Sequence, residues 1–120
     1  MKDHESQEMY LETILVLRQE RPAVRSIDIA EKLGYAKSSV SRAVSLLQDR
    51  GYIRVADDGF IEFTEAGEAK AASIYERHNI LTAFLTSLGA DAELAETNAC
   101  RIEHVIDDRL FELIKKQVNK

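Results

Sequence analysis

The chain has 120 residues, 45% of them hydrophobic and 31% charged, which is typical of a globular protein and not of a membrane-embedded one. No apolar run approaches the roughly 20 residues of a membrane span, and the polar, acidic start predicts no signal peptide. A net charge of −5 argues against a nucleic-acid partner unless positive charge is concentrated on one element.

Two helices are predicted at the N-terminal end. Apolar residues at helical spacing indicate a first helix over about residues 5–19, which Pro22 closes. Ser26 is the expected N-cap of a second helix, and Gly34 is its expected C-terminal glycine.

A third helix is predicted from about Ser38 to Arg50. Val40, Val44 and Leu47 recur at i, i+4 and i+7, which places them on one apolar face. Gly51 ends this helix.

The pattern then changes to the alternation of strands. Residues 52–55 and 60–63 alternate between apolar and polar, and the turn signal at residues 57–59 lies between them. The side chains expected to face inward are Ile53, Val55, Ile61 and Phe63.

Three further helices complete the chain. Thr64 can cap a long helix that reaches about Leu88, and Asp91 can cap another that extends past His104. The tail over residues 108–118 is predicted as the last helix.

This order of elements predicts a mainly α fold that begins with a winged helix-turn-helix. We expect a winged-helix DNA-binding domain over residues 1–73 and an α-helical domain over residues 74–120, with the boundary inside the long helix. The lone cysteine, Cys100, cannot form an internal disulfide, which favours a cytoplasmic location.

Although the net charge of the whole chain is negative, positive charge is concentrated at the third helix. Its small hydroxyl residues would let a helix approach a DNA groove closely, and Arg42 can reach a guanine edge or a phosphate. Arg50 and Arg54 add positive charge nearby, against one acid, Asp49. The alternative is a merely solvated, serine-rich helix face. The residues predicted to contact DNA are Lys37, Ser38, Ser39, Ser41 and Arg42.

A second group of residues suggests a metal site. Cys100, Glu103 and His104 lie at i, i+3 and i+4, so they would share one face of a helix. A thiolate, a carboxylate and an imidazole can hold a divalent first-row ion, but three ligands rarely complete a site. The alternative is a coincidence of common surface residues with a small core cysteine. Further candidate donors are His78, Met9 and Glu12.

Residues 8–12 (EMYLE), 76–78 (ERH) and 99–104 (ACRIEH) resemble the diphtheria toxin repressor family of metalloregulators, which includes iron-type and manganese-type repressors. The similarity covers nearly the whole chain, with these segments in the same order and at matching separations. It implies a homodimer that binds double-stranded operator DNA when loaded with Fe(II) or Mn(II). It also implies that the second domain binds metal and dimerises, with the metal between the two domains. The ligands that it implies are Met9, Glu12, His78, Cys100, Glu103 and His104.

The ligand pattern combines two branches of that family. Met9 and Cys100 resemble the iron type, whereas Glu12 resembles the manganese type, so both metals stay open. The iron type also has an ancillary site. At two of its positions this chain has Thr82, a poor ligand, and Glu96, which could bind metal. Larger family members add a third, SH3-like domain, which we do not expect here.

These observations predict a metal-dependent repressor of metal-homeostasis genes and not an enzyme. In this hypothesis, a metal that bridges the two domains sets the spacing of the paired recognition helices, which must match half-sites about 34 Å apart. Three alternatives remain open. One is a winged-helix factor that does not respond to metal, and another is a plain helical dimerisation module. The third is a small metal-dependent hydrolase, because C-x-x-E-H is similar to the H-x-x-E-H string of inverted zinc peptidases.

Overall fold

The structure is a computed structural model that describes residues 3–120, with side chains from Gln7 onward. One compact unit ends at Ala72 and a second begins at Ser73. Within the described residues, none of the helices combines the length and the apolar character needed to cross a bilayer. The elements are α1 (Asp3–Glu20), α2 (Ser26–Leu33), α3 (Lys37–Asp49), β1 (Ile53–Val55), β2 (Ile61–Phe63), α4 (Glu65–Ser87), α5 (Ala92–Ile102) and α6 (Asp108–Val118).

The first unit is a winged helix-turn-helix, as predicted. Helices α1, α2 and α3 pack on one another, and α3 also contacts β1. Val40, Val44 and Leu47 of α3 are buried, which confirms the apolar face expected from their spacing. Burying one such side chain contributes about 1.5–3 kcal/mol, so this core holds the helices together. Its most completely buried side chains are Leu11, Ile14, Val24, Ile29, Val40, Leu47 and Ile53.

Strands β1 and β2 form the antiparallel hairpin that is the wing. In its register, Ile53 is paired with Phe63 and Val55 with Ile61. Ile53 and Ile61 are buried as expected, whereas Val55 and Phe63 are only half-buried. The Ile61 amide donates to the carbonyl oxygen of Val24 at 2.8 Å, which attaches the hairpin to the segment before α2.

The prediction that Ser26 is the N-cap of α2 is wrong by one residue. The N-cap is Arg25, in an extended conformation with φ −118° and ψ 167°. A carboxylate oxygen of Asp28 accepts a hydrogen bond from the Arg25 amide at 2.8 Å, and the other oxygen accepts one from Arg21 at 2.8 Å. Because this carboxylate also lies in the positive first turn of the helix, it stabilises the N-terminus without the serine hydroxyl.

The second unit contains the C-terminal part of α4 together with α5 and α6. Asp91 caps α5 as predicted, because its carboxylate accepts a hydrogen bond from the Leu94 amide at 2.8 Å. Asp107 caps α6 in a similar way through the Arg109 amide, also at 2.8 Å. The buried apolar side chains of this unit are Ile74, Leu81, Ala95, Ala99 and Phe111.

The expected extension of the fifth helix past His104 is wrong. Helix α5 ends at Ile102, and residues 103–105 form a turn. The amides of Val105 and Ile106 both donate to the Ile102 carbonyl oxygen at 3.0 Å, which reverses the chain before α6 begins. The regular helical ladder ends where the Val105 amide bonds to a carbonyl only three residues back, which is the tighter bonding of a turn.

The start of α4 contains a close backbone contact. Thr64 caps the helix as predicted, because its hydroxyl oxygen accepts from the Gly67 amide at 3.1 Å. The same hydroxyl donates to the Gly51 carbonyl oxygen at 2.6 Å. A Cβ atom on Gly67 would lie 1.7 Å from the carbonyl oxygen of Tyr52, so only glycine fits at this position.

We expect Gly67→Ala to lower the free energy of unfolding by about 3 kcal/mol or more, because the new methyl group meets backbone that cannot easily move. In an open helix the same change would stabilise by about 0.5–1 kcal/mol. The control is Gly34→Ala, where φ is +70° but no atom lies within 4 Å of the added Cβ; this variant should lose only about 1–2 kcal/mol. Urea unfolding measures both, and a wild-type midpoint for Gly67→Ala would contradict the close contact.

Candidate metal centre and nucleic-acid interface

A buried carboxylate organises the ligand-type side chains of the second unit. The Glu103 side chain is 0% exposed. Its Oε2 atom lies 3.0 Å from Nδ1 of His78, and its Oε1 atom lies 3.3 Å from Nε2 of His104. Burying a carboxylate is costly unless polar or positive groups compensate for the lost water, and the two imidazoles lie where they can do so.

Cys100 completes a set of three donors. It lies on the last turn of α5, three residues before Glu103, and it is exposed. The ligand atoms of His78, Cys100 and Glu103 all lie within 4.8 Å of one another. A thiolate, an imidazole and a carboxylate at these separations can close on one divalent first-row ion with small side-chain movements. The donor set of the second unit therefore fits a transition metal.

Thr82 and Glu96, the two positions compared above with the ancillary site of the iron type, differ in their surroundings. Glu96 is exposed on α5, one helical turn before Cys100, and both line an open hollow of about 490 Å³ that His78 also lines. The Thr82 hydroxyl donates to the His78 carbonyl oxygen at 2.7 Å, so its proton is used within α4. The role of Glu96 as a ligand stays a prediction.

Arg77 is a residue of this site that the sequence reasoning missed. Its guanidinium donates to the Glu103 carbonyl oxygen at 3.3 Å, pairs with the Asp108 carboxylate, and lies 5.6 Å from the ring centroid of Phe111. Arg77 thus connects α4, the turn after α5 and the start of α6, and it holds the backbone that carries Glu103. The sequence signal that could have identified Arg77 was its position next to His78 in the ERH segment.

The other two predicted ligands lie on α1 of the first unit. Met9 and Glu12 are both half-buried and lie one helical turn apart. The Met9 Sδ atom accepts a hydrogen bond from the Tyr35 hydroxyl at 3.8 Å. Burial, and secondarily the neighbouring Tyr35, raises the pKa of Tyr10. Metal binding by Met9 and Glu12 stays a prediction.

The predicted DNA-contacting residues lie on the outer surface of α3. Lys37, Ser38, Ser41 and Arg42 are exposed, and Ser39 is half-buried. The first turn of α3 contains no acidic residue. A helix that begins with an exposed lysine and has no acid in its first turn favours contact with phosphate.

Known protein families match both parts of the chain. Residues 4–60 match the family model described as "Iron dependent repressor, N-terminal DNA binding domain". Residues 64–120 match the model described as "Iron dependent repressor, metal binding and dimerisation domain".

Individual relatives are similar over most of the chain. The iron-dependent repressor IdeR of Mycobacterium tuberculosis is 34% identical over 113 residues, which cover 93% of this chain and 49% of IdeR. The chain thus spans about half the length of the curated relatives of this kind. An HTH-type transcriptional regulator of Methanocaldococcus jannaschii is 30% identical over 113 residues, which cover 92% of this chain and 90% of that protein.

Solved structures give the same result for the fold. A manganese-dependent transcriptional repressor in complex with manganese is similar with a TM-score of 0.85 and 26% identity, over 94% of this chain and 52% of that one. The manganese regulator SloR is similar with a TM-score of 0.82 and 27% identity, over 94% of this chain and 53% of that one. The mainly α fold with an N-terminal winged helix is therefore confirmed.

We expect Glu103→Gln to lower the affinity for Fe(II) or Mn(II) by at least about tenfold. The substitution keeps the size of the side chain but removes the negative charge that both imidazoles contact. The matched control is Glu112→Gln, which removes an exposed carboxylate from α6. Metal titration by calorimetry measures the affinities, and circular dichroism checks folding. Equal affinities for Glu103→Gln and the wild type would remove Glu103 from the site.

Proposed function

Because the chain belongs to the iron-dependent repressor family, we propose that it is a transcriptional repressor that binds double-stranded operator DNA as a homodimer when loaded with Fe(II) or Mn(II). One observation carries the proposal. The buried Glu103 carboxylate lies between His78 and His104, with Cys100 close by. A carboxylate, two imidazoles and a thiol gathered in this way form a donor set that a divalent first-row ion can bind.

We assign as metal ligands the residues that the resemblance to the diphtheria toxin repressor family implies. An ion bound there supplies fixed positive charge and coordination bonds that hold its ligands in one arrangement. The Cys100 thiol must lose its proton to bind, and the imidazoles of His78 and His104 must be neutral, so affinity rises with pH. The proposed ligands are Met9, Glu12, His78, Cys100, Glu103 and His104, with Glu96 as an additional donor.

Two ions satisfy this donor set. The sulfur atoms of Met9 and Cys100 favour the softer Fe(II), and the carboxylates of Glu12 and Glu103 suit Mn(II). The similar proteins also divide between the two metals by name, since IdeR is an iron-dependent repressor and SloR is a manganese regulator. A comparison of the affinities of the same protein for Fe(II) and Mn(II) would therefore show which ion it prefers.

The proposed DNA interface is the outer face of α3. Arg42 would reach a guanine edge or a phosphate, and Lys37 would neutralise phosphate at the start of the helix. Small serine side chains beside Arg42 allow the helix to enter the major groove. In a two-fold dimer the two α3 helices would read half-sites about 34 Å apart, or a multiple of that distance.

The surface of the second unit supports a homodimer. Five of its large apolar side chains are more than half exposed, and a second copy of the chain would remove them from water. The family model that matches residues 64–120 includes dimerisation in its description. The exposed residues are Leu88, Leu94, Val105, Leu110 and Leu113.

The hydrolase alternative is less well supported. In the H-x-x-E-H string of zinc peptidases the glutamate is a general base and must reach a water molecule. Here the corresponding Glu103 is fully buried, and each of its carboxylate oxygens contacts an imidazole. This environment suits a ligand better than a base, so we propose a regulator that is not an enzyme.

We expect Fe(II) or Mn(II) to raise the affinity for a labelled fragment of the gene's own upstream region by about tenfold or more, measured by fluorescence anisotropy without oxygen. His104→Ala should abolish this gain without unfolding the protein. Arg42→Ala should weaken binding at every metal concentration, and Lys116→Gln, which removes an exposed cation of α6, is the control. Metal dependence that survives in His104→Ala would contradict the proposed site.

We expect Leu113→Glu to raise the dissociation constant of the homodimer by about tenfold or more, because a charge would enter an apolar interface. Lys116→Gln, on the same helix, changes the net charge by the same amount and should leave the dimer intact. Sedimentation velocity over a range of concentrations measures both. If Leu113→Glu dimerises like the wild type, α6 does not form the interface.

A further inference from the structure

Tyr35 lies in the turn between α2 and α3 and is fixed there by three sets of contacts. The amides of Gly34 and Tyr35 both donate to the Ala30 carbonyl oxygen, at 2.9 and 3.2 Å, which anchors the backbone at the end of α2. The ring packs edge-on against Tyr10, with centroids 6.4 Å apart and an interplanar angle of 68°. The hydroxyl then donates to the Sδ atom of Met9 at 3.8 Å.

The Met9 thioether is a group that benefits from such a partner. A methionine side chain has three rotatable bonds and samples many conformations unless something holds it. Sulfur in a thioether is a weak acceptor with two lone pairs, so a hydrogen bond to one leaves the other available to a soft metal. A donor held by a rigid turn therefore lowers the entropy that Met9 loses when it becomes a ligand.

We propose that Tyr35 is a positioning residue that orients the Met9 thioether for metal ligation and ties this ligand to the recognition helix. The inference rests on the proposed function, because Met9 is there a predicted ligand. Tyr35 is followed directly by Ala36, the N-cap of α3, and then by Lys37, the first residue of that helix. The turn that holds Met9 is thus also the turn that leads into the start of the proposed DNA-reading helix.

This connection has a thermodynamic consequence. If Tyr35 holds Met9 better when α3 is fixed on DNA, then DNA and metal strengthen each other's binding by the same factor. Part of the coupling between metal and operator would then run through one hydroxyl group inside the first unit.

The first experiment measures metal affinity. Tyr35→Phe removes the hydroxyl but keeps the ring that packs on Tyr10. We expect it to weaken Fe(II) or Mn(II) binding by about three- to fivefold, as for the loss of one modest hydrogen bond. Tyr52→Phe, which removes a hydroxyl elsewhere in the same unit, should leave the affinity unchanged. In the Met9→Leu background, Tyr35→Phe should have no further effect, because the group on which it acts is gone.

The second experiment needs no metal. The chain contains two methionines, so protein labelled with ¹³C at the methionine methyl groups gives a simple spectrum, and Met9→Leu identifies the Met9 signal. Tyr35→Phe should shift the Met9 methyl resonance toward its conformationally averaged position. Tyr52→Phe should leave it in place.

The outcomes separate the inference from the function on which it rests. If the wild-type protein binds neither ion, the proposed function fails, whatever the variants do. If the wild type binds metal and Tyr35→Phe binds it equally tightly, only the inference is overturned. A loss of affinity that is as large in the Met9→Leu background as in the wild type would show a purely structural role for Tyr35 and would overturn the inference as well.

Discussion

A carboxylate that is removed from water has to be compensated by its neighbours, and the second unit is arranged around this requirement at Glu103. Helix α4 contributes His78 next to the Oε2 atom, and the turn after α5 contributes His104 next to the Oε1 atom. Arg77 holds the carbonyl oxygen of Glu103 and pairs with Asp108 at the start of α6. Three helices therefore meet at one residue, and the same arrangement brings the exposed thiol of Cys100 within ligand distance. The Glu103 carboxylate, whose burial costs free energy, thus links the helices of the unit and lies at the centre of its candidate metal site.

The first unit shows how an acidic chain can still present a surface suited to DNA. The net charge of −5 is a property of the whole molecule, whereas binding to phosphate depends on the few charges that approach it. Helix α3 begins with Lys37, carries Arg42 on its exposed face and has no acid in its first turn. In the proposed complex, negative charge elsewhere would weaken non-specific attachment to DNA, so binding would depend on close fit at α3 more than in a basic protein.

Much of the fold could be predicted because its signals are local. Apolar spacing identified α3, and the capping side chains of Thr64 and Asp91 marked the starts of α4 and α5. The features that were missed depend on residues distant in sequence or on competition between nearby donors. Arg77 reaches Glu103 across 26 positions, and Tyr35 reaches Met9 across the same number, so no periodicity reveals either contact. Helix α5 ends where the Val105 amide bonds to the Ile102 carbonyl three residues back, and a run of helix-compatible residues does not reveal that choice.

The attachment of the wing to the segment before α2 also bears on how the protein behaves at high concentration. A short hairpin normally has two free strand edges, and each can pair with a strand of another molecule. Here the Ile61 amide of β2 is already bonded to Val24, and β1 packs against α3. Each strand is also only three residues long, which leaves little unpaired backbone. The wing therefore offers few unpaired backbone groups from which a β-aggregate could grow.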